Sequence, residues 1–375
     1  MPDLLSQRRP ESVRELAAIV QEAKSSGQGI YPIGGGTMFD VGRAPTKPGF
    51  LVDMTALNVI DDYPARDMTI TVQPGVTIQT LQDALAVENQ WLPIDVPNPE
   101  RATVGGMIAA NVSGSHRFGY GTIRDYLIGI QFLTDDGVEV KGGGRVVKNV
   151  AGYDLMKLQV GALGTLGVIT QATFKVKPKS ESVAVIRCGV PIERIGTLLD
   201  LLHTSKSRPV AIELLNPPAA KAIGLPNALW QCVIGFEEKA TTVKWQRATL
   251  LDELKVANIA VIAEETAKIW PTIAALQIHP ASRYIAKASV LPSQVAAEIA
   301  KLPLANSRII HAQPLNGVLW LHATETPDWP ANVAVRRAPN DWRWVAPQDP
   351  AWKLMEHVKR TIDPNDLFSP GRLFN

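Results

Sequence analysis

Three segments of this chain combine glycine, other small residues and backbone amides, and none of them contains a charged side chain. They are Pro32–Thr37, Ala102–Gly114 and Gly161–Thr170. Glycine has no Cβ atom, so the backbone can come close to a flat ligand, and successive amides in such turns bind phosphate oxygens. The sequence therefore predicts one extended groove for a flat cofactor that carries phosphate.

The first of these segments contains three consecutive glycines, Gly34–Gly36, followed by Thr37. Such a run can form a concave nest for a pyrophosphate, although a plain tight turn explains it equally well. A dinucleotide fingerprint of the Gly-x-Gly-x-x-Gly type would need a glycine at Phe39, and no Gly-Lys-Ser or Gly-Lys-Thr follows as in phosphate loops. A nicotinamide or ATP site is therefore not expected.

The second segment offers both close approach and hydrogen bonds. Gly105 and Gly106 would let the backbone approach a ring, while Thr103, Asn111 and Ser113 supply polar groups for ligand heteroatoms or phosphate. Small residues that allow close helix packing are the alternative explanation.

Composition excludes several classes of function. The formal net charge is +2, with basic and acidic residues interspersed, so no nucleic-acid footprint is predicted. Cys188 and Cys232 are the only cysteines; they are too few for an iron-sulfur cluster, and we expect buried free thiols. No apolar run is long enough to span a membrane and the first residues lack a signal-peptide core, so the cytoplasm is the expected compartment.

Titratable residues outside the glycine segments give weaker signals. Asp154, beside Tyr153, could be a positioned acid, but a helix N-cap is favoured. His311 and His322 could share a sheet, yet the histidines are too scattered to define a metal site, and we expect none.

Hydrophobic periodicity predicts an α+β fold class with two parts. The first part combines a helix from the Ser12–Glu15 capping box to Gly27, strands at 30–33, 50–54 and 69–73, a helix from Thr77, and a hairpin around Asp135–Gly137. The second part alternates strands at 183–186, 209–214, 229–235, 259–263 and 284–290 with helices at 195–202, 242–256, 266–275 and 294–302. We expect three parts. Residues 1–178 form the first domain, residues 179–345 form a smaller α+β cap domain with an antiparallel sheet, and residues 346–375 form a segment that returns to the first domain.

Several motifs occur in the order typical of one family. They are Pro32–Thr37, Val72–Val76, Asn98–Gly106, Asn111–Gly114, Arg117–Gly121, Arg124–Asp125, Gly152–Leu155 and Gly164–Ile169. Together they resemble the flavin-binding domain of the vanillyl-alcohol oxidase and p-cresol methylhydroxylase (PCMH-type) flavoprotein superfamily. The chain length, the short second domain, Ala334–Pro339 and the ending Asp363–Arg372 further resemble the smaller, FAD-binding subunits of bacterial glycolate oxidases.

This resemblance implies a two-part FAD-binding domain. Gly34–Thr37 would hold the pyrophosphate, Thr103–Gly106 with Ser113 and Gly114 would line it and the flavin, and Gly167 with Ile169 would approach the adenine. The full predicted set is Pro32, Ile33, Gly34, Gly35, Gly36, Thr37, Met38, Pro74, Gly75, Thr103, Val104, Gly105, Gly106, Asn111, Ser113, Gly114, Gly167 and Ile169. The loop Thr37–Asp40 has no His or Cys for covalent attachment, so non-covalent FAD is expected.

The chain departs from the family in the segment that would bind substrate. Larger hydroxyacid-oxidising relatives carry His-Ala-Gly-Asp-Gly-Asn-x-His and a later Glu-His pair, which bind a divalent metal. Here His311–His322 is a degraded form, and Glu356–His357 lies close to the terminus. The flavin half is expected to be retained and the metal-assisted half lost, and no catalytic residue is identified.

The resemblance favours an FAD-binding subunit of a glycolate (2-hydroxyacid) oxidase or dehydrogenase complex. Its implied partners are a larger flavoprotein subunit and an iron-sulfur subunit, its substrate is a small 2-hydroxyacid, and its complex could lie at the inner membrane. Two alternatives stay open. One is a self-sufficient flavin oxidoreductase for a hydroxyacid or alcohol, and the other is a structural subunit with an empty flavin site.

Overall fold

The computed structural model describes residues 5–144, 154–226, 228–302, 308–327, 329, 333–339 and 351–373. The motif residues Gly152 and Tyr153 lie outside these ranges. Within them, no helix is long and apolar enough to cross a bilayer.

The first part of the chain contains two sheets and the helices packed on them. Its elements are β1 (Leu5–Arg8), α1 (Val13–Ser26), β2 (Gly29–Ile33), β3 (Gly49–Asp53), β4 (Ile60–Asp62), β5 (Thr69–Val72), α2 (Ile78–Val87), β6 (Gln90–Trp91), α3 (Val104–Ala110), α4 (Arg117–Tyr120), α5 (Ile123–Tyr126), β7 (Leu127–Leu133), β8 (Glu139–Gly143), α6 (Leu155–Gln159), β9 (Val168–Lys175) and β10 (Lys177–Pro178). A parallel sheet has the order β1-β3-β2, and a five-stranded antiparallel sheet has the order β4-β5-β9-β7-β8. Strands β10 and β6 form a separate antiparallel pair.

The second part is built on one antiparallel sheet. Its elements are β11 (Ser182–Val190), α7 (Ile195–Thr204), β12 (Ala211–Leu215), α8 (Pro217–Ala222), β13 (Trp230–Glu238), α9 (Ala240–Val256), β14 (Ala260–Glu265), α10 (Ile269–Ala275), β15 (Tyr284–Ser289), α11 (Val295–Lys301), β16 (Ile310–Gln313), β17 (Val318–Ala323) and β18 (Val333–Arg337), followed by the terminal helix α12 (Ala351–Ile362). The sheet order is β14-β11-β13-β12-β16-β17-β15-β18, and we call it the cap sheet. The predicted α+β class with an antiparallel second sheet is confirmed, while the exact domain boundaries stay a prediction.

Local signals explain where the first helix lies. The Ser12 side chain accepts a hydrogen bond from the Glu15 amide, and Gly27 ends α1 in the left-handed conformation at φ 68°. The carboxylate of Glu15 accepts from the Glu11 amide rather than from Ser12, so only one half of the predicted capping box forms. Leu16, Val20 and Ala23 are buried, as the helical period predicts.

The end of the chain packs against the first part. Phe368 forms a parallel bridge with Ile30 of β2, and the Ile30 amide donates to the Leu367 carbonyl at 2.7 Å. The Arg372 guanidinium donates to the carbonyls of Phe39, Val41 and Arg43 at 2.6 to 2.8 Å. One arginine therefore fixes the loop that follows the glycine turn.

We expect Arg372→Ala to destabilise the protein and to loosen this loop. Three carbonyls would lose a charged donor, which predicts a loss of about 2–4 kcal/mol in the free energy of unfolding. Urea unfolding of the variant beside Arg360→Ala, an exposed arginine of α12, measures the effect. Equal unfolding midpoints for the two variants would contradict this role.

Candidate functional site

A long groove runs across the first part of the chain and is lined mainly by small and apolar side chains. It encloses about 900 Å³, part of it open solvent. That volume falls in the range of cofactor and ligand sites. Its lining residues are Pro32–Phe39, Met54, Pro74, Val96, Ala102, Thr103, Gly105–Met107, Ala109, Ala110, Val112, Leu163, Gly164, Gly167–Ile169 and Arg372.

The glycine turn at the groove wall requires residues without side chains. A Cβ atom on Gly35 would lie 1.7 Å from the carbonyl oxygen of Arg101, and one on Gly34 would lie 2.0 Å from the Thr103 hydroxyl. Gly36 has a φ of 70°, in the left-handed region that favours glycine. The turn is thus pressed against residues 101–103 and leaves its other side open to the groove.

The amides of this turn are free to bind an anion. Among the described residues, none of the amides of Gly34–Thr37 donates a hydrogen bond to a protein acceptor. The amides that open α3 differ, because Val104 donates to the Val76 carbonyl and Gly105 to the Pro74 carbonyl. Successive unpaired amides in a concave turn provide the phosphate-binding nest predicted from the glycine run.

Most of the predicted cofactor residues line the groove. They are Pro32, Ile33, Gly34, Gly35, Gly36, Thr37, Met38, Pro74, Thr103, Gly105, Gly106, Gly167 and Ile169. Gly75 lies in an adjoining recess that shares Gly35 and Thr103 with the groove. Their contacts with a cofactor stay a prediction.

Four predicted residues lie outside the groove lining. Val104 is buried, and Asn111 ends α3 in the left-handed conformation. The Ser113 hydroxyl accepts from Arg117 at 3.3 Å, and Gly114 packs against Asp95. Asp154 caps α6 by accepting from the Lys157 amide, so the favoured N-cap interpretation is confirmed.

One face of the cap sheet, together with the short helical turn Leu276–Ile278, bonds directly to the groove-forming part. Gln277 donates to the Ser113 carbonyl at 3.0 Å, and Arg336 of β18 donates to the Ala110 carbonyl at 2.8 Å. Ala110 lines the groove. This face therefore closes over the region where α3 ends.

A buried histidine joins the two parts. His116 contacts Asp95 through Nδ1 at 2.7 Å and Glu237 of β13 through Nε2 at 2.9 Å. Burial alone would lower the pKa of His116. The negative charges of Asp95 and Glu237, and the hydrogen bonds that their carboxylates accept from the ring, outweigh burial and raise the pKa to about 10. His116 is therefore an imidazolium held between two carboxylates.

Three cationic side chains converge beside the end of α3. The pKa of Lys287 falls to about 8, because burial and the nearby charges of Arg336 and Arg117 all disfavour its protonated form. Burial also lowers the pKa of Arg336 to about 10. Within the described part of the chain, none of the three forms a salt bridge with a carboxylate. We call Arg117, Lys287 and Arg336 the cation cluster. The negative charge of Asp125 acts on Arg117, but the cluster stays net positive and favours an anionic ligand.

The same sheet face carries buried polar atoms without partners. His311 Nε2, His322 Nε2, Gln313 Oε1 and Trp320 Nε1 have no hydrogen-bond partner among the described residues. Buried polar groups are normally paired, so several such atoms on neighbouring strands indicate a ligand site. The described residues contain no group of three or more His, Cys, Asp or Glu residues that could hold a metal ion.

Sequence reasoning did not find this second half of the site. It expected that His311 and His322 could share a sheet, as they do on β16 and β17, but it saw in them only remnants of a motif and gave no role to Lys287, Arg336 or Glu213. These residues carry no local signal, because each occupies an ordinary strand position and only sheet pairing brings them together. Cys188 and Cys232 face each other on β11 and β13, and both are buried and free, as predicted.

Comparison with known proteins identifies the groove. The family model described as "FAD binding domain" matches residues 7–143. Residues 7–143 resemble this family, and we call them the FAD binding domain. This domain contains two of the three predicted glycine segments, Pro32–Thr37 and Ala102–Gly114, whereas Gly161–Thr170 lies beyond the matched residues. Strand β9 of the five-stranded sheet and the whole cap sheet lie beyond the matched residues.

Similar proteins include glycolate oxidase subunits and dehydrogenases. The glycolate oxidase subunit GlcE of Escherichia coli is 26% identical over 343 residues, which cover 89% of each chain. A D-lactate dehydrogenase of Archaeoglobus fulgidus is 31% identical over 73% of this chain and 58% of its own length, and the glycolate oxidase subunit GlcD of Bacillus subtilis is 33% identical over 61% and 50%. The chain thus spans about half the length of these last two relatives. The predicted resemblance to the smaller glycolate oxidase subunits is confirmed.

A solved structure supports the fold. Alkyldihydroxyacetonephosphate synthase superposes with a TM-score of 0.69 at 20% identity, over 97% of this chain and 76% of that protein. At this identity the likeness concerns the fold alone.

The residues present in the FAD binding domain fit FAD. The free amides of Gly34–Thr37 suit its pyrophosphate, and the small residues Ala109 and Ala110 leave room for a planar ring beside α3.

Proposed function

We propose that this chain is the FAD-binding subunit of a glycolate (2-hydroxyacid) oxidase or dehydrogenase complex. In that role it oxidises a small 2-hydroxyacid, such as glycolate to glyoxylate, and passes the electrons to an iron-sulfur partner subunit beside a larger flavoprotein subunit. The GlcE relative, similar over nearly the whole chain, supports the subunit assignment. The chain's only two cysteines are both buried, so the cluster belongs to a partner.

The observation that carries this proposal is the cation cluster. A 2-hydroxyacid is a carboxylate at neutral pH, and Lys287, Arg336 and Arg117 offer positive charge that no salt bridge of the described chain neutralises. Arg336 also touches Ala110 at the groove, so the charge lies beside the position proposed for the flavin ring. Arginine and lysine pairs with carboxylates are among the strong hydrogen bonds of proteins.

The mechanism assigns separate tasks to the residues on each side of the site. Bound FAD supplies a two-electron acceptor for the hydride of the substrate α-carbon. The glycine turn and α3 orient the cofactor, the cation cluster fixes the substrate carboxylate, and the cap sheet excludes water from the space between them. The α-carbon then faces the cofactor in a single orientation.

Removing one cation should weaken substrate binding without removing the cofactor. We expect Lys287→Met to raise the glycolate concentration for half-maximal flavin reduction about 10- to 100-fold, the equivalent of one charge-assisted hydrogen bond. Lys244→Met, at an exposed position on α9, is the matched control. Anaerobic reduction followed by absorbance measures both variants, and identical glycolate dependence in the two would refute a role for the cluster.

The cluster also predicts a pH dependence of binding. Since burial, Arg336 and Arg117 lower the pKa of Lys287 to about 8, glycolate affinity should fall as the pH rises through that value. Titration of the flavin spectrum with glycolate or an inert analogue between pH 6 and 10 measures this. Lys287→Met should lack the decrease that wild type shows near pH 8, and the same decrease in the variant would contradict the assignment.

We propose that the FAD is held without a covalent bond. Thr37, Met38 and Phe39 line the groove, and the loop Thr37–Asp40 contains neither His nor Cys. Acid precipitation of the purified chain should leave all flavin in the supernatant. Yellow colour retained in the pellet would show a covalent link and overturn the assignment.

A further inference from the structure

Glu213 and His311 form a buried pair on the groove-facing side of the cap sheet. His311 Nδ1 lies 2.8 Å from one carboxylate oxygen of Glu213, and the Ser115 hydroxyl donates to the other oxygen at 2.8 Å. The side chains of Glu213 and His311 are each 1% exposed. Ser115 belongs to the loop after α3, so the pair is anchored to the FAD binding domain.

The other ring nitrogen of His311 is free. Nε2 is buried and has no hydrogen-bond partner in the described part of the chain. Since Nδ1 faces the carboxylate, the tautomer that satisfies Glu213 carries its proton on Nδ1 and leaves a lone pair on Nε2. A histidine oriented by a carboxylate in this way is suited to accept a proton.

His311 lies in the same row of the sheet as the cation cluster. His311 is opposite Trp320 on the next strand, and Trp320 is opposite Lys287 on the strand after that. The His311 ring stacks on the Trp320 indole with 5.8 Å between centroids, and Lys287 Nζ lies 5.8 Å from the centroid of the same indole. The free nitrogen of His311 and the ammonium of Lys287 therefore both lie beside the Trp320 indole.

We propose that His311 is the general base for this oxidation and that Glu213 is its positioning residue. The inference rests on the proposed function, because it assumes a hydroxyacid whose carboxylate binds at the cation cluster. It goes further by naming the groups that take the hydroxyl proton.

The step balances with the flavin as the oxidant. His311 Nε2 would take the proton of the substrate hydroxyl as the C–O bond becomes a carbonyl, and bound FAD would supply the acceptor for the hydride of the α-carbon. The substrate loses two electrons and two hydrogens, and the flavin gains the two electrons. Glu213 then stabilises the imidazolium that forms.

Several charged or titratable groups surround this pair. Burial raises the pKa of Glu213, and the negative charge of Asp95 also raises it. The hydrogen bonds of Glu213 with His311 and Ser115 lower this pKa. His322 of β17 lies 5.5 Å from the His311 ring centroid, and burial together with the charges of His311, His279 and Arg337 lowers the pKa of His322. His322 is therefore neutral, and Glu213 is the carboxylate in direct contact with His311.

The test uses the full FAD-loaded chain and the variant His311→Gln. We expect the limiting rate of anaerobic flavin reduction by glycolate to fall at least 100-fold, as general-base catalysis implies. Oxalate, which resembles the substrate but cannot be oxidised, should still perturb the flavin spectrum with a dissociation constant within about 3-fold of wild type. His203→Gln, at an exposed position on α7, is the matched control.

A second variant separates a catalytic role from a structural one. Glu213→Gln keeps the size of the side chain but removes the carboxylate that orients His311, so the limiting rate of flavin reduction should fall while the dissociation constant of oxalate stays within about 3-fold of wild type. Glu213→Asp should restore part of the rate. An unchanged limiting rate in folded His311→Gln or in folded Glu213→Gln would overturn the inference.

These outcomes are distinct from failure of the proposed function. If glycolate does not reduce wild type, the proposed function is at fault. If wild type is reduced and the two variants match it, only the assignment of His311 and Glu213 is wrong.

Discussion

Replacing Gly35 with valine is expected to abolish FAD binding at ordinary cofactor concentrations. A Cβ atom at this position would lie 1.7 Å from the Arg101 carbonyl oxygen, so the turn has to move away from residues 101–103. The amides of Gly34–Thr37 would then no longer converge on the pyrophosphate. We expect the FAD dissociation constant to rise about 1,000-fold, which corresponds to about 4 kcal/mol.

The matched control for this variant is Gly196→Ala. A Cβ atom on Gly196 in α7 would meet only Ala296, at 3.8 Å, so alanine fits and should stabilise the helix by up to about 1 kcal/mol. Fluorescence titration of the apoprotein with FAD compares both variants with wild type. Tight FAD binding by Gly35→Val would show that the cofactor does not use this turn.

The second large effect concerns His116, which joins the FAD binding domain to the cap sheet. We expect His116→Ala to cost about 3–5 kcal/mol in the free energy of unfolding, because it leaves two buried carboxylates without their shared cation. The side chains of Asp95 and Glu237 are 12% and 9% exposed, so water compensates them poorly. Urea unfolding beside His203→Ala, an exposed histidine, measures the difference.

The same histidine predicts how stability depends on pH. Its pKa is about 10 in the folded chain and about 6.5 when unfolded, so the folded state binds the proton more tightly. The contribution of His116 to the free energy of unfolding is fully present below pH 6.5 and is lost as the pH rises through 10. His116→Gln should therefore show a smaller loss of stability than wild type between pH 7 and 10, and parallel curves would argue against a buried imidazolium.

The glycine motifs and the order of elements could be predicted because their causes are local. Gly27 ends a helix, Thr77 begins one, and Gly34–Gly36 form a turn for reasons contained in a few neighbouring residues. The family resemblance added the cofactor and the two-part domain. These predictions needed no knowledge of which strands pair.

The cap half of the site could not be predicted because its causes are not local. Glu213 and His311 are 98 positions apart, and His116 is 121 positions from Glu237. Their meeting depends on the strand order of the cap sheet, and β16, β17 and β18 were not predicted as strands. The degraded motif at His311–His322 also directed attention to a lost metal site, whereas the structure places His311 against a carboxylate.

The central claim is that this chain binds FAD and that a 2-hydroxyacid bound under the cap sheet reduces it. The most direct measurement is the visible spectrum of the purified, FAD-loaded chain before and after anaerobic addition of glycolate. The account predicts bands of oxidised flavin that bleach on addition in wild type and persist in Lys287→Met at the same glycolate concentration. Flavin bands that persist in wild type would contradict it.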